Sequence, residues 1–310
     1  MIFSNNKKNN YLCDTNLMKL NILILFLSLS LTAKSQMIDF MVGASTSHFL
    51  GDLGGKPFKG TRDFQDIDFK STRYSVTTGL RFNLNKTFAI RTNLIYARIS
   101  GNDKFTDNKE RRGRNLNFYS HIYEGNATFE INIAKTRNKQ GVWYVFGGIG
   151  YFMFNPKTKL NGQVYELQKY GTEGQFAVAG KSPYKLSSIC FPHGVGYKWS
   201  ISRTSYLSVE LNLRKTQTDY IDDVSTNFVD RNLLIAAKGP EAAALADRNI
   251  STIPGFSDPG SIRGNPRNND TYFFINFSFN KVLGSGKGGN GFGNSRGRGR
   301  NRGKGKCFEF

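Results

Sequence analysis

The sequence predicts an all-β fold: an eight-stranded antiparallel transmembrane β-barrel with long extracellular loops and a disordered basic C-terminal tail. Three observations carry that prediction. Apolar and polar residues alternate with period two through eight segments, most of them 12 residues or longer. The connections between those segments are alternately short and long. An export signal precedes them all. Period-two alternation of this length means strands with one apolar face, and soluble strands usually stop at about five or six residues.

The export signal comes first in the chain. The only long apolar run, 20–31, follows Met18-Lys19 and ends in Thr32-Ala33-Lys34-Ser35-Gln36. A basic start, a short apolar stretch and an Ala-x-Ser site make a secretory signal over 1–35, cut before Gln36. The run is shorter than the roughly 17 residues a spanning helix needs. Met18 is an alternative start. No cysteine stands at the cleavage point, which argues against a lipoprotein.

The eight segments lie near 37–49, 71–83, 87–100, 118–133, 142–154, 187–199, 205–216 and 272–283. At about 3.3 Å per residue and a tilt near 45°, each spans roughly 28 Å, the height of an outer-membrane apolar band. In the seventh, Leu207, Val209, Leu211 and Leu213 alternate with Ser208, Glu210, Asn212 and Arg214. In the eighth, Phe273, Ile275, Phe277 and Phe279 alternate with Phe274, Asn276, Ser278 and Asn280. Arg81, Arg91, Glu124, Asn126, Thr128 and Glu130 join the polar face. A polar face with charges of both signs fits a salt-bridged lumen, and it also fits the solvated exterior of a lipocalin-like barrel. Strand length, loop alternation and the signal favour the lumen. Tyr96, Tyr119, Trp143, Trp199, Tyr206 and Tyr272 lie near strand ends, where interfacial girdles form.

The connections at 83–87, 134–141 and 200–205 are short; those at 50–70, 101–117, 155–186 and 217–271 are long. Short periplasmic turns and long extracellular loops are the pattern of bacterial outer-membrane barrels. An even strand count puts both mature termini on the periplasmic side, and a barrel of eight is filled by its own side chains. No helical periodicity is evident before residue 240, where Pro240-Glu241-Ala242-Ala243-Ala244-Leu245-Ala246 reads as a short helix with Pro in its first turn. Residues 284–306 hold ten Gly, seven Lys or Arg and no acid; such a segment cannot bury a core.

Composition agrees. With 38% hydrophobic residues and a mean hydropathy of −0.44, a polytopic helical membrane protein is excluded. The 14% aromatic content, with 26 Phe, excludes wholesale disorder. The formal charge of +20 suggests an anionic partner. Export removes nucleic acid from that set, leaving outer-membrane lipid, peptidoglycan or an acidic protein.

Little in the chain suggests chemistry. His48, His121 and His193 fall on different strands without metal spacing. His193 with Ser187 or Ser188 is the nearest approach to a hydrolase pair, and a lipid-modifying barrel enzyme is the least favoured reading. Asp219, Tyr220, Asp222 and Asp223 form an acidic patch that suits turn formation better than calcium. Cys190 and Cys307 are placed too far apart to pair. No catalytic, cofactor or metal residues are assigned. The candidate partner-binding residues are cations: Arg137 and Lys139 in the second turn, Arg203 in the third, and Arg296, Arg298, Arg300, Arg302, Lys304 and Lys306 in the tail.

A set of short strings adds a resemblance. Gly51-Asp52-Leu53-Gly54-Gly55 follows the first strand, and Arg114-Asn115-Leu116-Asn117-Phe118 opens the fourth. Phe146-Gly147-Gly148-Ile149-Gly150 leads to Phe154-Asn155-Pro156-Lys157. Leu167-Gln168 and Gly171-Thr172-Glu173-Gly174-Gln175 follow. Then come Arg214-Lys215-Thr216, Thr218-Asp219-Tyr220-Ile221-Asp222-Asp223-Val224-Ser225, Ala242-Ala243 and Arg263-Gly264-Asn265-Pro266. In order and spacing, across about 37–281, the chain resembles the small Bacteroidetes outer-membrane barrels that include the PorG-like component of the type IX secretion and gliding machinery. That resemblance implies a non-enzymatic outer-membrane subunit anchoring a periplasmic ring made of a lipoprotein and its partner protein. The basic tail is not part of the pattern.

Overall fold

The computed structural model describes residues 37–53, 69–106, 108–135 and 141–283. The expected signal segment 1–35, the turn bearing Arg137 and Lys139, and the tail with Arg296, Arg298, Arg300, Arg302, Lys304, Lys306 and Cys307 lie outside the described residues.

Eight long strands run up and down. They are β1 (Met37–Leu50), β2 (Arg73–Asn83), β3 (Phe88–Asn102), β4 (Asn117–Lys135), β5 (Gly141–Met153), β8 (Ser187–Ser200), β9 (Ser205–Thr216) and β10 (Thr271–Val282). Each pairs antiparallel with the next. The sheet closes because the last strand pairs with the first, from Asp39↔Val282 to Leu50↔Thr271, while β3 pairs with β4 from Phe88↔Ile131 to Asn102↔Asn117. Closure leaves no edge, the condition for strands to cross a bilayer. The other two strands, β6 (Lys157–Leu160) and β7 (Gln163–Glu166), form a hairpin beside the barrel that joins β4 at Tyr119↔Lys157.

Two local rules interrupt the ladders. Between Gly147↔His193 and Gly150↔Cys190 the β5–β8 pairing lapses, where Pro192 has no N–H to donate. The register between β4 and β5 shifts at Asn132/Ala134, a bulge next to the turn.

The burial pattern decides between the two barrel readings. Outward residues of the alternating sets are apolar and exposed: Val42 is 49% exposed, Leu94 67% and Phe277 57%. Their neighbours Arg81, Arg91, Glu130, Glu210 and Arg214 point inward and are buried. A water-soluble barrel would reverse this, so the fold is a transmembrane β-barrel. No helix among the described residues is long and apolar enough to cross a membrane.

The girdle assignment needs a correction. Trp143 and Trp199 are outward and half exposed at the turn end, at 50% and 57%, and Tyr96 and Tyr119 flank His121 near the loop end. Tyr206 and Tyr272, however, are buried in the lumen. Each shares the parity of the inward set on its strand (Ser208 and Glu210, or Phe274 and Asn276), which the alternation forces.

Helices before residue 240 are a second correction. They are α1 (Lys109–Arg114) and α2 (Arg231–Lys238), followed by the expected α3 (Pro240–Ala246). The first two are too short to show periodicity and owe their starts to caps. Asn108 accepts from the Glu110 and Arg111 amides, and Asp230 from that of Asn232.

Candidate functional site: a salt-bridged lumen under a loop cap

Inside the wall, four cations meet four carboxylates: Arg81, Arg91, Lys198 and Arg214 against Asp39, Glu124, Glu130 and Glu210, all buried. At the turn end, Arg81 donates to Glu130 at 3.1 Å through Nε and lies 3.0 Å away through Nη2. Lys198 takes the other Glu130 oxygen, and Arg91 pairs with Glu210. Two tyrosines complete the set, with Tyr206 Oη donating to Asp39 at 2.6 Å and Tyr144 Oη to Glu210 at 2.6 Å. Nearer the loops, Arg214 Nε lies 3.1 Å from Glu124, which also accepts from Tyr272 Oη at 2.9 Å. Rings fill the remaining space: the Arg214 guanidinium stacks 4.1 Å from Phe274 and that of Arg91 4.6 Å from Phe146. Burying eight charges is tolerable only because each carboxylate is paired and hydrogen-bonded.

Above Glu124 the lumen turns apolar. Ile99, Ile122, Phe152, Tyr272 and Phe274 meet Leu53, Leu116, Leu167, Ile221, Val224 and Leu245 descending from the four long connections. Over this plug sits a buried polar hub. Glu173 accepts from the amides of Ser225 at 2.9 Å and Thr226 at 3.0 Å and from the Thr226 hydroxyl at 2.7 Å. Arg263 donates to Glu173 at 2.8 Å, to the Asp223 carbonyl at 2.6 Å and to the Ala246 carbonyl at 3.2 Å. Arg114 grips Asp103 with both arms, at 2.9 and 3.0 Å, and reaches the Asp52 carbonyl at 2.6 Å. Asp222 accepts from the Leu53 and Val224 amides, each at 3.0 Å. Every long connection contributes to this cap. The helix expected at Pro240 packs beside it, with Ala242, Ala243 and Ala246 against Leu234.

Several of the strings that carry the sequence resemblance therefore meet in space: Asp52-Leu53, Arg114, Thr172-Glu173, Asp222-Asp223 and Arg263 belong to one cap. The acidic patch forms turns, as expected. Burial beside Asp52 and Asp219 holds the Asp222 carboxyl well above its usual range. Asp270 is raised likewise, by burial and by Asp222. Burial pushes Asp223 up to about 6, although Arg263, the Thr172 hydroxyl and Tyr184 Oη favour its anion.

The remaining candidates scatter. Arg203 is exposed in the turn between β8 and β9. His193 bonds the Phe191 carbonyl at 3.0 Å, while the Ser188 hydroxyl bonds the Ile189 carbonyl. Five residues of strand, roughly 17 Å, separate that serine from the histidine, so the hydrolase pair is not assembled. Among the described residues no three His, Cys, Asp or Glu side chains are grouped to hold a metal. Cys190 is buried inside the wall. Sequence reasoning missed Lys198 and Asp39. Their parity with Cys190 and Met41 was the available signal.

A closed, even-stranded barrel with an apolar exterior, a neutralised polar lumen and its connections alternating in length is an outer-membrane β-barrel protein. The chain belongs to the family described as "Domain of unknown function (DUF6089)", which matches residues 18–233. No curated protein matches it. Among solved structures it is similar to Ail, the attachment invasion locus protein of Yersinia pestis, at 7% identity and a TM-score of 0.37, covering 80% of this chain and 99% of that one. Neisserial surface protein A is similar at 8% identity and a TM-score of 0.35, covering 79% and 97%. OprG from Pseudomonas aeruginosa is similar at 10% and 0.32, also covering 79% and 97%.

Proposed function

We propose that this protein is a non-enzymatic outer-membrane subunit of the type IX secretion machinery that docks a periplasmic ring of a lipoprotein and its partner protein. The observation that carries the reading is the filled lumen. Arg81, Arg91, Lys198, Arg214, Tyr144 and Tyr272 are each less than 2% exposed, so the interior offers a wall rather than a path. A barrel of this kind acts through its ends. The turn end would present Arg203 together with Arg137, Lys139 and the tail cations to an acidic periplasmic surface. The resemblance of the strings now found in the cap supports membership of the same group of barrels.

Affinity purification of the tagged full-length protein from outer membranes tests the reading. Ring proteins should co-purify, and a deletion strain should lose secretion of cargo. Absence of ring proteins together with normal secretion overturns it. A second reading has one specific support: the hydrogen-bonded cap is a pre-built face at the loop end, suited to an extracellular ligand or polymer. Retained secretion with lost ligand binding in cap variants would favour that alternative.

A further inference from the structure

The outer wall carries a feature that neither a docking turn nor a loop cap needs. Near the loop end of β2, β3 and β4 lies a cleft of about 280 Å³. Among the described residues its lining includes Arg73, Arg98, Ser100, Tyr119 and Lys159, and no Asp or Glu. Arg98 leaves β3 on the side of Leu94 and Tyr96, the lipid-facing side. Its guanidinium stacks 4.6 Å from the Tyr119 ring. A guanidinium fixed on a ring at the rim of such a cleft is placed for an anionic oxygen.

Directly below, on the same strands and the neighbouring β5, the apolar wall is indented. A groove of about 650 Å³ is lined by Val76, Leu94, Tyr96, Tyr123, Gly125 and Met153, among others. Gly125, paired with Leu94, makes the hollow, since an added Cβ there would meet only Leu94, at 3.7 Å. Arg98 pairs with His121, four positions up the strand from Leu94, a rise of about 13 Å.

A cationic cleft over an apolar groove, both facing the bilayer, matches one chemistry. We propose that this wall holds a net-anionic, phosphate-bearing lipid of the loop-side leaflet, its phosphate on Arg98 and Lys159 and an acyl chain in the hollow at Gly125. The lipid is an integral part of the barrel's surface at this position. The inference rests on the barrel spanning the membrane and is independent of any role in secretion.

The test is titration calorimetry on the full-length protein in a neutral maltoside detergent. Three probes are compared: dioctanoyl phosphatidic acid, dioctanoyl phosphatidylcholine and inorganic phosphate. Phosphatidic acid should bind saturably, at least tenfold tighter than either of the others, and more weakly as salt rises. The Arg98→Gln/Lys159→Gln double variant should lose at least tenfold. Lys159→Gln alone, on an exposed side chain, should lose a smaller but measurable part. Gly125→Leu should weaken the lipid and leave inorganic phosphate unchanged. Heat-modifiable gel migration establishes that each variant is folded. Equal binding of phosphatidylcholine, wild-type affinity in the folded double variant, or inorganic phosphate binding as tightly as the lipid would each overturn the proposal.

Discussion

Arg263 and Glu173, 90 positions apart in the chain, meet at 2.8 Å, both buried. Their contact joins the connection before β10 to the one before β8 and makes the hub of the cap. Arg263→Ala leaves Glu173 buried without its cation, a loss typically worth about 3–5 kcal/mol. The wall does not depend on it. Limited proteolysis of the folded variant should therefore cut faster within 217–270, while the unboiled protein keeps its fast gel migration. An unchanged cleavage rate would show that the hub does not hold the cap.

The lumen responds differently. Glu130 faces Arg81, Lys198 and Arg91, so Glu130→Gln leaves three cations around a neutral amide. A penalty of about 3–5 kcal/mol is expected. It would be read as a lower urea midpoint for unfolding from lipid vesicles, with folded protein losing its heat-modifiable band. A midpoint equal to that of the parent chain would contradict the ionic account of the lumen.

Asp223 gives the cap a pH dependence whose sign is fixed. Its carboxyl is raised from 3.8 to about 6 in the folded protein. Between those values the unfolded chain has released the proton and the folded one retains it, so the Asp223 contribution to stability falls as pH rises from about 4 to 6 and is flat above. The contribution is on the order of 3 kcal/mol. Hydrogen exchange in 217–270, compared between the parent and Asp223→Asn, isolates it. The parent should lose protection over that window relative to the variant; parallel curves would refute the assignment.

The chain has two tryptophans, Trp143 and Trp199, both outward near the turn end and half exposed. In bilayers with bromine placed at defined acyl depths, their fluorescence should be quenched most by bromines close to the head groups. Strongest quenching from the bilayer centre would displace the membrane from the position the apolar band assigns.

The wall was legible in the sequence because its signal is local. Glu210, Asn212 and Arg214 sit two residues apart between leucines, and that spacing alone turns them inward. The same rule, applied without exception, would have turned Tyr206 and Tyr272 inward as well. A tyrosine near a strand end has the composition of both environments, so composition alone places them in a girdle. Lys198 escaped for another reason. Its inward neighbours on β8 are Cys190, Pro192, Gly194 and Gly196, a column with no polar signature. Those small residues make room for large ones opposite: a Cβ on Gly196 would stand 2.4 Å from the Tyr144 ring. The strings that meet in the cap could be recognised, but not paired, because nothing local couples residue 173 to 263 or 52 to 222. The hairpin β6–β7 and the helices α1 and α2 are too short for periodicity to reveal.

The pairing of β1 with β10 has a consequence for the order of assembly. The cap draws on residues 52, 103, 114, 173, 222 and 263, so its parts are not all present until nearly the whole chain has emerged. Contacts so distant in sequence form late. The connection carrying Arg263 is tethered at both ends only after β10 has found β1. The cap is thus a latch that engages on a finished barrel, and a chain stalled before its last strand lacks both the closing pair and the latch.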